Sequence, residues 1–192
     1  VEHAIRNITE VIAPSLIGGN PNDQKSIDKG LSELDGTNNK SNLGANAILA
    51  ISLSIAKASA DQQDQAFYQY VANLANNKET LKVPTPMVNV INGGKHASGA
   101  SDFQEYMIVP KGISSYTDQI RACSEIFHAL KQEIANLGLQ TTVGDEGGFA
   151  PILRGGNKQV FDLLLSAIDR SKYRSNNDIF LALDIASSEF YV

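Results

Sequence analysis

The sequence predicts an α/β protein in two parts, a helical first part and a second part that mixes strands with helices. Three observations carry this. The first 74 residues space their apolar side chains at helical intervals. Val83-Pro84-Thr85-Pro86 is too rich in proline for a helix and reads as an extended linker. Beyond it come two short strands, two amphipathic helices and a closing apolar run, which is how an α/β barrel or an open sheet begins. The boundary falls near Lys78 to Pro84 and gives parts at 1–78 and 79–192.

In order, the first helix spans Glu2 to Ile12 on Ile5, Ile8, Val11 and Ile12, with Pro14 and Gly18-Gly19-Asn20-Pro21 as its stop. A second runs from about Asp23 to Leu34 and stops at Asp35-Gly36. A third, from near Gly44 to Ala60, is apolar on most faces, so it is expected to pack on several sides. Asp64 is the expected cap of a fourth, carrying Phe67, Tyr70, Val71 and Leu74. Strands are expected at Met87 to Ile91 and Glu105 to Val109, joined by a small-residue loop from Lys95 to Asp102. An amphipathic helix follows on Ile120, Cys123, Phe127, Leu130, Ile134 and Leu137, with Thr117 as N-cap and Gly138 just past its end. Another covers Lys158 to Arg170 on Phe161, Leu164, Leu165 and Ile168. The run Ile179 to Leu183 suits a parallel strand buried on both faces.

Composition removes several classes of function. Net charge is −5 and there is no run of Lys or Arg, so nothing recommends nucleic acid or an anionic membrane as partner. No apolar stretch has the length of a membrane span. The one cysteine, Cys123, cannot form an intrachain disulfide and looks like a core residue of its helix, which fits a reducing compartment. The glycosylation-like triplets at Asn7 and Asn39 then carry little weight. The chain starts at Val1 without Met and stops after Phe190-Tyr191-Val192, which reads as a piece of a longer protein.

Three places carry chemistry. Gly144-Asp145-Glu146-Gly147-Gly148 sets two acids among glycines, where backbone can approach a ligand and an acid can move a proton or bind a metal; the alternative is a solvated acidic turn. Asp184 abuts the apolar run, at the strand end where α/β folds hold ligands; the alternative is a helix cap. Asn92-Gly93-Gly94-Lys95-His96 ends one strand and Gln104-Glu105 opens the next, so that His96 and Glu105 can face one cleft. His3 and His128 fall on helices and are read as structural. Gly18 to Ser26 ends like a phosphate loop but lacks the glycine before Lys25. The set His96, Glu105, Glu146 and Asp184 is rich in oxygen donors, with no cysteine cluster and no second histidine. That points to Mg²⁺ rather than Zn²⁺.

Six stretches also resemble the enolase family, in order and at the expected spacing. They are Leu34-Asp35-Gly36-Thr37, Lys40 to Leu49, Val90 to Ala97, Gln104 to Pro110, Val143 to Pro151 and Leu183 to Tyr191. Lys95 and the stretch Ser98 to Asp102 depart from the commoner family wording. The resemblance implies the helical part of an N-terminal α+β domain, then the first strands and helices of an incomplete (β/α)8-type barrel that opens with two antiparallel strands. It implies the Mg²⁺-dependent interconversion of 2-phosphoglycerate and phosphoenolpyruvate in glycolysis, by a cytoplasmic homodimer. By position, His96 and Glu105 match the substrate-site histidine and glutamate, Glu146 the general acid and Asp184 the first carboxylate ligand of the tighter Mg²⁺. Glu146, held near Glu105, is expected to stay protonated, because close carboxylates raise one another's proton affinity.

The same resemblance implies that the N-terminal sheet and a mobile serine loop precede Val1. The base lysine, a second lysine, two further metal carboxylates and the phosphate-binding residues would follow Val192. The chain is therefore expected to hold about half a site and to be inactive alone. A non-catalytic binding or scaffold protein derived from enolase is the alternative; the intact acid and metal aspartate speak against it. Another enzyme of the superfamily is disfavoured by the match in so many loops.

Overall fold

The structure, a computed structural model, describes residues 1–97 and 101–190, with Phe190 described by its backbone alone. Ser98, Gly99 and Ala100 of the expected small-residue loop, and Tyr191 and Val192 of the last motif, lie outside the described residues. The chain divides into two units, Val1–Leu81 and Lys82–Val192.

In the first unit, α1 (Glu2–Arg6) runs through a π-helical turn (Asn7–Ile12) into α2 (Ala13–Leu16). Pro14 does not end the helix, as the sequence suggests. It lies within the continuous helical run, directly after the π-helical turn. The π turn also rotates the apolar face, so Ile12 is buried while Ile5 and Val11 are exposed. Next come α3 (Gln24–Asp35), α4 (Ala45–Gln62) and α5 (Phe67–Leu74). Asp23 caps α3 by accepting from Ser26 N at 3.1 Å, and Gly36 ends it in the left-handed region at φ 71°. Ile12, Leu31, Leu43 and Ala47 form one core; Ala56, Ala60 and Tyr70 form another. The expected all-round packing of α4 is not seen. Its small residues Ala47, Ala56 and Ala60 are buried, while Leu49 and Leu53 are exposed. Asp64 does not cap α5 either. It sits in a left-handed turn at φ 52°, and Ala66 holds the N-cap position, its N–H bonded to Gln69 Oε1 at 3.2 Å.

Asp35 explains why two of the sequence motifs belong together. Its buried carboxylate accepts from Leu43 N at 2.8 Å, from Thr37 N at 3.1 Å and from the Thr37 hydroxyl. Burial opposes its charge, but the hydrogen bonds from Leu43 and Thr37 outweigh that and hold its pKa below the usual carboxylate value. The loop between α3 and α4 is thus folded around one carboxylate.

In the second unit, β1 (Val88–Asn92), β2 (Glu105–Val109) and β3 (Phe180–Asp184) form a sheet in the order β1-β2-β3, both pairs antiparallel. The expectation of a parallel, doubly buried last strand is corrected here: β3 runs antiparallel to β2, is only partly covered, and leaves Leu183 exposed. An apolar run announces burial but not the direction of its neighbour. On the sheet packs a helical pair, α6 (Tyr116–Asn136) and α7 (Gly156–Arg170). Ile126, Leu130 and Ile134 of α6 and Val160, Leu164 and Ile168 of α7 share one core with Ile91, Tyr106, Ile108 and Phe149. Ile120, Leu137 and Leu165, expected on the inner faces, are exposed. Ser115, not Thr117, caps α6 by accepting from Asp118 N at 3.3 Å. Gly138 closes it as expected, at φ 72° with Leu139 N bonded to Ile134 O at 3.3 Å. Cys123 is buried in the core, and burial pushes its thiol up to about 11. No helix among the described residues is long and apolar enough to cross a membrane.

Candidate active site

Sheet register brings the candidate residues to one edge. Asn92 pairs with Glu105, and Glu105 pairs with Asp184, so the ends of β1 and β3 flank the start of β2. The segment after α6 then folds onto β1. Phe149 N donates to Val90 O at 2.9 Å, and Asn92 N donates to Phe149 O at 2.8 Å. Gly144 N closes the intervening loop by donating to Gly148 O at 2.8 Å. That loop carries Glu146 to the sheet edge.

His96 arrives there through a short 3-10 turn, Gly94–His96. Gly94 has φ 53°, and a Cβ on it would approach Asp102 O to 3.0 Å, so glycine is needed twice over. His96 Nδ1 lies 3.1 Å from Glu146 Oε2. Atoms of His96, Glu105 and Glu146 that can bind a metal or a proton all lie within 4.8 Å of one another. The sequence-predicted trio is therefore brought together by three different segments. A cleft of about 370 Å³ beside it is lined by Asn92, Lys95, His96, Gly144, Asp145 and Glu146.

The pKa of Glu105 is raised, first by its hydrogen bond with Glu146, then by burial, then by the charges of Glu146 and Asp184, with His96 acting against them. A second carboxyl this close raises the proton affinity of Glu105. The sequence reading expects close carboxylates to raise proton affinity, and Glu105, the more buried of the two acids, has its pKa raised.

Asp184 stands next to the trio and is held separately. Its Oδ2 accepts from Gln104 Nε2 at 3.2 Å, and its Oδ1 accepts from Ala186 N at 3.1 Å. Gln104 was visible in the sequence only as the residue before Glu105. Also unforeseen is the exposed pair of Lys95 with Glu189, 3.1 Å apart. Most of all, Asn92, a strand end by sequence, has its side chain wholly buried against the Glu146 loop. The signal was an amide ending an apolar strand, with two glycines directly after it.

Acids and an imidazole gathered at strand ends lie where α/β barrels place their functional residues. Comparison with known families agrees: residues 80–192 match the enolase C-terminal TIM barrel domain, and residues 1–71 match the enolase N-terminal domain. The chain belongs to the enolase family, as the six motifs indicate.

The donor sets separate two kinds of ligand. Asp184 offers carboxylate oxygens whose hydrogen bonds leave lone pairs free, which fits a hard cation such as Mg²⁺. The trio mixes an imidazole with two neighbouring carboxyls, one of them with raised proton affinity, which fits proton transfer better than Mg²⁺.

Proposed function

We propose that this chain belongs to an enolase that reversibly dehydrates 2-phosphoglycerate to phosphoenolpyruvate with Mg²⁺. The carrying observation is the gathering of His96, Glu105 and Glu146, with ligand atoms within 4.8 Å of one another, and Asp184 next along the sheet edge. Residues 1–78 are read as the helical remainder of the N-terminal domain and 79–192 as the start of the barrel. A cytoplasmic homodimer is part of the same reading and is supported by the family alone.

The reaction removes a proton from the carbon beside the carboxylate and hydroxide from the next carbon. The first step places two negative charges on one carboxylate group, besides those of the phosphate. Asp184 would hold part of the Mg²⁺ coordination, and the bound cation would supply positive charge against that developing charge. Hydroxide is a poor leaving group, so an acid must deliver a proton to its oxygen as the C–O bond breaks; the products are phosphoenolpyruvate and water. Glu146 suits this role because it lines the cleft beside His96 and Glu105. Glu105, whose proton affinity is raised, stands beside it, and His96 orients Glu146 through the 3.1 Å contact.

Glu146→Gln in the complete enzyme tests the assignment. Substrate binding should stay near normal, while turnover falls by roughly 10²–10⁴-fold, the usual cost of losing an acid. Exchange of the substrate's α-hydrogen with solvent deuterium should outlast turnover, because proton abstraction does not need Glu146. Exchange, turnover and melting temperature falling together would instead mark an acidic turn that only folds the loop.

A further inference from the structure

We propose that Asn92 is a positioning residue, whose buried amide clamps the Gly144–Gly148 loop and so sets where Glu146 stands. The proposal rests on the reading of Glu146 as the acid. Asn92 is fully buried at the end of β1, in a site where a buried polar group must have partners. Its Nδ2 donates to Gly148 O at 3.3 Å, and its Oδ1 accepts from Asn89 Nδ2. Two strand amides thus run in series into the loop, while the backbone of Asn92 is tied to Phe149 just beyond it.

The glycines show how close the fit is. A Cβ on Gly148 would come within 2.8 Å of Asn92 Oδ1 and 3.1 Å of Ile91 N. A Cβ on Gly144 would overlap Asn92 Nδ2, and the three atoms nearest to it all belong to Asn92. Gly144 does not have the left-handed backbone seen at Gly147, φ 84°. What excludes a side chain at Gly144 is therefore the Asn92 amide and not backbone strain. The loop rests on Asn92 at both ends, and Glu146 lies between them.

The test uses Asn92→Ala, Gly144→Ala, the double variant, and Leu164→Ala as a control that weakens the core away from the site. In the chain, Asn92→Ala should speed amide hydrogen exchange at Gly144 and Gly147 at least tenfold, and Leu164→Ala should not. In the complete enzyme, Asn92→Ala should lower kcat about 10–100-fold with KM for 2-phosphoglycerate within twofold, at a temperature where every variant is folded. Gly144→Ala should lower kcat about tenfold alone but less than twofold further once Asn92 is alanine, because the obstructing amide is gone. Should Asn92→Ala not fold, Gly144→Ala reads the same contact from the other side. Unchanged loop exchange, additive effects of the two substitutions, or a kcat no lower than the Leu164→Ala control would each overturn the proposal. Full turnover by Glu146→Gln overturns the acid reading instead, and is seen apart from the exchange rates that report the clamp.

Discussion

Phe149 joins the candidate site to the core, and its truncation gives a worked prediction. The ring is 1% exposed and stacks on Phe127 with centroids 4.3 Å apart and planes inclined by 19°. Its N–H and C=O both bond β1, on either side of Ile91. Truncating a buried phenylalanine to alanine costs about 3–5 kcal/mol through lost burial and the cavity left behind. In a unit the size of Lys82–Val192 each kcal/mol moves the melting point by about 4 °C, so Phe149→Ala should lower it by about 12–20 °C. Such a unit has only about 5–15 kcal/mol of stability, so the variant should fold but only marginally at 37 °C. Phe149→Leu keeps most of the volume and should cost about 1.5 kcal/mol or less. Far-ultraviolet circular dichroism through thermal and urea unfolding measures both. A drop below about 4 °C for Phe149→Ala would refute the reasoning, since it would mean that the loop closes on β1 by its backbone bonds alone.

Asp178 has its pKa lowered to about 2 by the Arg174 side chain, then by the Arg174 N–H. A folded pKa below the unfolded one stabilises above the unfolded value, near pH 4, and that stability is lost as pH falls toward 2. The melting-point gap between wild type and Asp178→Asn should therefore be full at pH 6 and close between pH 4 and 2; a constant gap would exclude the ion pair as its source. The Cys123 thiol, pushed up to about 11 by burial, should react with iodoacetamide at pH 8 at least roughly 100-fold more slowly than a free thiol. Labelling at the free-thiol rate in folded protein would contradict its place in the core. Asp184→Asn in the complete enzyme should weaken Mg²⁺ binding by roughly tenfold or more in calorimetry, and added Mg²⁺ should restore part of the turnover. Unchanged Mg²⁺ affinity would remove Asp184 from the metal site.

The sequence by itself determined where helices and strands lie, because 3.6- and 2-residue periodicities are local properties of the chain. It also picked out the candidate residues: His96, Glu105, Glu146 and Asp184 stand out as polar groups beside glycines or at the ends of apolar runs. Cap positions moved from Thr117 to Ser115 and from Asp64 to Ala66, since capping depends on backbone angles that several neighbouring residues can satisfy. Only the tertiary structure decided the direction of β3, because a strand's partner is chosen by the folded chain and not by its own side chains. Tertiary structure also decided the raised proton affinity of Glu105, since burial and the distances to Glu146, Asp184 and His96 follow from distant segments meeting. The same is true of Asn92, whose amide acquires its function only when a loop more than fifty residues later folds onto it. Hydrogen bonds between distant segments leave no periodic trace in a sequence. The two glycines that make room for that amide were visible, but not what they make room for.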